Sequence, residues 1–208
     1  MLKDKIKCFL GLLAVIGCTG FISTVSAETI TPTGAYKTSW NIESIYYYID
    51  QSAPGYSGTI SGAANNWVYT GLGYNKLYPN TRTYNKTSSA IDFYASSDGN
   101  NGVLAYTNLY KRVNGNPVTV TWVTVKDRVN SGVPSESWLF SEIHINNDVF
   151  QNYDFTVRQG TVAHEFGHAW GLGHNNENPN SLMCQTGFGR VAQTVQQVDQ
   201  DAFNRLYN

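Results

Sequence analysis

From residue 44 onward the chain runs or alternates apolar in short blocks separated by glycine, asparagine and proline clusters, and the period of each block predicts an element. Residues 44–50 (SIYYYID) are aromatic and β-branched and stop before the Pro54-Gly55 turn, which predicts a strand. In residues 57–69, Ile60, Ala63, Ala64, Trp67 and Val68 fall on one face at helical spacing, which predicts a first helix. Residues 89–95, 103–110, 118–125 and 138–145 read as four further strands. The period then changes. Val162, Phe166 and Ala169 share a helical stripe within residues 157–172, ended by Gly171 and Gly173. A last helix is predicted over residues 194–207, with Val195, Val198, Ala202, Phe203 and Leu206 inward and Asp199 and Asp201 outward. Strands first and helices after them predict an α+β fold in one domain, residues 28–208.

Residues 1–27 are set apart from that domain. Lys3, Lys5 and Lys7 precede an apolar run from Cys8 to Ile22, and Val25-Ser26-Ala27 ends it with small side chains, the pattern of a secretory signal peptide cleaved after Ala27. Two alternatives stay open: a membrane anchor, and a lipobox at Val15-Ile16-Gly17-Cys18 that would make Cys18 the lipidated first residue of a surface lipoprotein. Cleavage after Ala27 leaves Cys184 as the single cysteine, so no internal disulfide is expected and Cys184 reads as a small buried hydrophobe. With 14% charged residues, a net charge of −1 and no basic run past residue 7, nucleic acid is not an expected partner. The expected state is a monomer, bound to membrane only if Cys18 is lipidated.

The chemistry concentrates in His164-Glu165-Phe166-Gly167-His168-Ala169-Trp170-Gly171-Leu172-Gly173-His174, which holds three of the four histidines of the chain. Two histidines four apart on a helix project from one face and can share a metal ion. Glu165, one position on, is turned aside, so its carboxylate can reach a metal-bound water without taking a metal position. Gly171 lets the backbone leave the helix sharply enough for His174 to return as a third ligand. Three protein ligands leave the fourth position open, the arrangement of a catalytic rather than a structural zinc site. With five fixed residues, this pattern arises by chance at about one start position in ten million.

The segment resembles the zinc signature of the metzincin metalloendopeptidases, and the chain most resembles their matrixin branch. Ser181-Leu182-Met183 is similar to the family's Met-turn, whose Met183 would floor the imidazoles. Residues 197–207 are similar to the closing helix, with Asp199 or Asp201 in its acidic position. Ile45-Tyr46-Tyr47, the helix ending at Trp67, Ala90-Ile91-Asp92-Phe93 and Gly102-Val103-Leu104-Ala105 resemble the first strand, first helix and two later strands. The resemblance implies a twisted, mostly parallel five-stranded sheet with the active-site helix, the first helix and the C-terminal helix. It also implies a substrate lying extended beside an edge strand at Val103, Leu104 and Ala105, and a loop over residues 185–191, with Phe188, walling the pocket for the residue after the cut.

Departures from the family are informative. Gln185 stands where related branches place a tyrosine ligand, and Asn175 follows His174 where another branch has aspartate. Tyr106 replaces one ligand of the matrixins' structural zinc, so His144 reads as an ordinary strand residue and one catalytic Zn2+ is expected. Calcium is a candidate at Asp148, Asn146 or the Asp98-Gly99-Asn100-Asn101 turn. Only about 16 residues separate Ala27 from the first strand, a loop-scale length, so no latency propeptide is expected. The expected function is a secreted zinc-dependent metalloendopeptidase with Glu165 as general base and a protein or peptide substrate. The alternatives are a secreted or surface zinc-containing adhesion module without turnover, supported by the Tyr- and Asn-rich surface, and a zinc hydrolase of small molecules.

Overall fold

Phe166 meets Tyr47 edge to face at 6.0 Å and Phe93 at 5.1 Å, joining the buried face of a sheet to the helix that carries the histidines. The computed structural model describes residues 38–73, 75–77 and 81–207; residues 1–27, expected to be a signal peptide, lie outside them, and so does Cys18. The strands are β1 (Tyr46–Ile49), β2 (Thr81–Thr83), β3 (Ile91–Ser96), β4 (Ala105–Val113), β5 (Asn116–Val120), β6 (Trp122–Thr124), β7 (Gly132–Pro134) and β8 (Phe140–Asn146). The helices are α1 (Ser57–Val68), α2 (Asn147–Phe150), α3 (Phe155–Ala169) and α4 (Gln197–Tyr207). The fold is α+β, with a mostly parallel sheet in the order β2-β1-β3-β8-β4-β5. β4 alone runs against its neighbours.

Alternation along the strands decides which face is covered. Ile91 and Phe93 on β3, and Ser141, Ile143 and Ile145 on β8, are buried on the helix side. Glu142 and His144 take the opposite face. α3 lies between the sheet and α1, and Trp67 of α1 donates its indole N–H to the Ala163 carbonyl at 2.7 Å. Trp67 also packs on Trp170 at 4.8 Å, and Phe203 of α4 closes on both. The Tyr207 hydroxyl donates to the Trp170 carbonyl at 2.9 Å. One cluster of buried side chains thus runs from Ile42 to Tyr207.

Several expectations need correction. The main sheet has six strands, not five, because β2 joins its edge; with only three polar, part-exposed residues it leaves no hydrophobic signal. The strand expected over residues 118–125 is two strands. Alternation runs unbroken through Thr121, yet β5 pairs with β4 while β6 leaves to pair with β7 in a separate two-stranded sheet. Asp199, expected outward on a helix from residue 194, is fully buried on a helix that starts at Gln197, and Val198 and Leu206 are only half-buried. The reason is that Asp199 accepts hydrogen bonds from a neighbouring loop, as shown below. Among the described residues, no helix is long and apolar enough to cross a membrane.

Candidate metal centre

Asp154 caps α3 by accepting the Val157 N–H at 2.9 Å, and the helix then runs buried from Gly160 to Ala169. Gly171 ends it at φ 91°, a left-handed conformation that favours glycine, and a Cβ there would also come within 2.5 Å of the Trp138 ring. The chain turns back through that residue and delivers His174 to the same side as His164 and His168.

Three backbone carbonyls orient the imidazoles. His164 Nδ1 lies 2.7 Å from the Leu182 oxygen, His168 Nδ1 2.7 Å from the Leu172 oxygen and His174 Nδ1 3.0 Å from the Asn130 oxygen. A carbonyl oxygen only accepts, so each Nδ1 carries the hydrogen and each Nε2 keeps its lone pair. Those lone pairs converge: His168 Nε2 lies 3.1 Å from His164 Nε2 and 3.0 Å from His174 Nε2. Three lone pairs facing one another repel unless a cation sits among them. Tetrahedral zinc at 2.0–2.1 Å from each nitrogen sets neighbouring ligands about 3.3 Å apart, so the cluster fits a metal of this class with a few tenths of an ångström of movement. Among the described residues this is the one group of three or more His, Cys, Asp or Glu side chains close enough to share an ion. Burial holds all three neutral: it pushes His168 and His174 down to about 4 and His164 well below its ordinary 6.5.

Glu165 is 5% exposed, and burial raises its pKa above the usual carboxylate range, with the Thr107 hydroxyl pulling the other way. That hydroxyl, on β4, lies 2.8 Å from Glu165 Oε2 and 3.0 Å from the Glu165 carbonyl oxygen. The edge of Trp122 on β6 packs on His168 at 5.4 Å. Ser131 donates to the His174 carbonyl at 2.8 Å.

Met183 is fully buried and lies against Gly167, where any Cβ would strike its sulfur. Its loop is held by Asp199, whose carboxylate accepts from the Ser181 hydroxyl and from the Leu182 N–H at 2.8 Å, and also from Gln196 N–H at 3.1 Å. The Leu182 carbonyl that orients His164 is therefore positioned by α4.

The three histidines, Glu165, Thr107 and Trp122 line one cleft of about 580 Å³. Val103, Leu104 and Ala105 form one wall and Phe188 stands on the other, 42% exposed. Of Val103–Ala105, expected on an edge strand, only Ala105 lies in β4, and β5 lies outside β4 in the sheet; yet β5 pairs only with Leu109–Val113. Leu104 gives its carbonyl to Asn146 N–H of β8, so by alternation Ala105 and Thr107 point their backbone groups to the uncovered side. The free edge is half a strand long and faces the cleft.

Arg190 also lines this cleft, from the same loop as Phe188. It is 8% exposed, donates from Nη2 to Thr161 Oγ1 at 3.0 Å, and its Nε has no hydrogen-bond partner. Sequence reading missed Thr107, Arg190 and Trp122. The available signal for Arg190 was that it is the only Lys or Arg between Arg158 and Arg205.

Elsewhere, His144 is stacked between Tyr94 at 5.3 Å and Tyr106 at 4.9 Å, beside Glu142. In the loop considered for calcium, the Asn146 amide donates to the Gly99 and Val103 carbonyls, and Asp148 accepts the Gly99 N–H at 2.7 Å. That side-chain crosslink ties the turn together. Cys184 is buried. No protein-family model matches the chain, and no curated protein matches it.

Proposed function

We propose that the chain is a secreted zinc metalloendopeptidase of the metzincin type, with a matrixin-like site. The observation that carries this reading is the convergence of three Nε2 lone pairs at the floor of a cleft, beside a buried glutamate on the same helix and below a half-strand of unpaired backbone. His164, His168 and His174 would hold the zinc, which would supply Lewis-acid polarisation of a peptide carbonyl and lower the pKa of a water toward neutrality.

The chain's own residues do the rest. Glu165, with its proton affinity raised by burial, takes the proton of the attacking water and passes it to the leaving amine. Thr107 fixes Oε2 by its hydrogen bond, so Oε1 is the oxygen left to move the proton. The backbone of Ala105 and Thr107 pairs with an extended substrate, which favours a peptide over a small molecule. The loop with Phe188 and Arg190 walls the pocket for the residue after the cut, and Met183 packs behind α3.

The test is cleavage of a diverse peptide library by the chain lacking residues 1–27, with zinc, with a chelator, and with Glu165→Gln. Cleavage that disappears with the chelator and with Glu165→Gln, while the variant still binds zinc, is the expected result. A folded, zinc-loaded chain that cleaves nothing would instead favour the adhesion module.

A further inference from the structure

An arginine 92% withdrawn from water normally has a carboxylate beside it, because an unpaired buried guanidinium loses its hydration without recompense. Arg190 has none: it forms no ion pair with any carboxylate among the described residues. The two acidic groups electrostatically nearest are already committed, Glu165 to Thr107 and Asp199 to Ser181, Leu182 and Gln196. Thr161, one turn before Glu165 on α3, engages one guanidinium nitrogen, and Nε remains without a partner. The group nonetheless lines the cleft, on the wall formed by the loop from Gln185 to Arg190.

We infer that Arg190 is a specificity residue whose guanidinium receives a carboxylate of the substrate, so that the pocket walled by this loop takes an acidic residue, Glu or Asp, directly after the scissile bond. The inference rests on the peptidase reading above. The planar guanidinium offers paired N–H donors matched to the two oxygens of a carboxylate, in a site already partly stripped of water. Phe188 and the apolar stem of the arginine enclose the methylenes of the incoming side chain. A neutral isostere leaves the buried donors unmatched, so discrimination against Gln and Asn should be large.

The experiment uses C-terminally amidated peptides identical except for Glu, Asp, Gln, Asn, Leu or Lys after the cut, with a second set carrying a free C-terminal carboxylate and no acidic side chain. Wild type is expected to cleave the Glu or Asp peptide at least tenfold faster in kcat/KM than its amide isostere. Arg190→Gln should bring that ratio to near one, and Arg190→Glu should turn preference toward Lys. Equal rates for acidic and amide peptides, or a ratio that survives Arg190→Gln, would overturn the inference. Preference for the free C-terminus over the internal acidic residue would overturn it too, by giving Arg190 a terminal carboxylate instead. If Arg190 merely tuned Glu165, the variant would change every peptide's rate by one factor and leave the ratios intact.

A binding arm keeps failure of the peptidase reading separate. Chelator-treated wild type and Arg190→Gln are each titrated with Glu-Leu-Ala-amide and Gln-Leu-Ala-amide, and binding is read as heat by calorimetry. Tighter binding of the Glu peptide, lost in Arg190→Gln, supports the carboxylate site even if no peptide is cleaved. Equal affinity refutes it.

Discussion

The three histidines and Glu165 were legible in the sequence because their relation is local: helix period and one glycine fix it within eleven residues. Thr107 and Arg190 were not, since each reaches the site through a contact 58 or 29 residues away in sequence that no spacing records. Thr107 gives a direct test of how much the alignment of Glu165 matters. Thr107→Val keeps the shape of the side chain and removes the hydroxyl that holds Oε2. A base free to rotate gives up part of a contribution worth about 10²–10⁴-fold, so kcat/KM should fall about tenfold. Zinc stoichiometry, measured on the same preparation, should not change, because no histidine bond involves Thr107. An unaltered kcat/KM would show that burial alone orients the carboxylate.

At the scale of elements, periodicity found α1, α3, β1, β3 and β8, all of which bury an apolar face against the same core, and β4, whose Leu109 packs in a smaller cluster with Val120 and Trp138. It failed for β2 and β7, three residues each, and for the break between β5 and β6, where strand partners change without a change of pattern. It also misjudged α4, because a charged residue on a helix reads as solvent-facing when its partners lie in another segment. Asp199 joins α4 to the loop of Leu182 and Met183, and through the Leu182 carbonyl to His164. Asp199→Ala should therefore strand the Ser181 hydroxyl and the Leu182 N–H together, at about 1–3 kcal/mol for each buried group. The expected outcome is a loss of about 3 kcal/mol in denaturant unfolding, together with faster zinc transfer to a competing chelator. A surface aspartate would cost under about 0.5 kcal/mol and leave zinc transfer unchanged.

For the molecule as a whole, the ligands and their orienting carbonyls come from α3, the turn after it, the Met183 loop and the loop between β6 and β7, so metal binding and folding are coupled. A metal present at a thousand times its Kd adds about 4 kcal/mol, and removing it with a chelator should lower Tm by about 10 °C in a chain of this size. The opposite face of the sheet sets a different dependence. Asp92 lies there 5% exposed, accepting from Ser89 with Lys86 3.8 Å away, and burial outweighs both to lift its pKa from the ordinary 3.8 to about 6. Between those values the folded chain keeps a proton that the unfolded chain has released, so the stability tied to Asp92 is whole below pH 3.8 and is lost as pH rises through 6. Asn in its place keeps an oxygen for Ser89 and never ionises. Asp92→Asn should match wild type near pH 4 and exceed it above pH 6 by about 1–2 kcal/mol, the full shift being discounted for residual solvent screening. Thermal unfolding of both proteins in chelator, from pH 4 to 8, isolates this group from metal release. If the two curves stay parallel across that range, the Lys86 contact compensates the buried charge, and the polar face of the sheet contributes no pH dependence of its own.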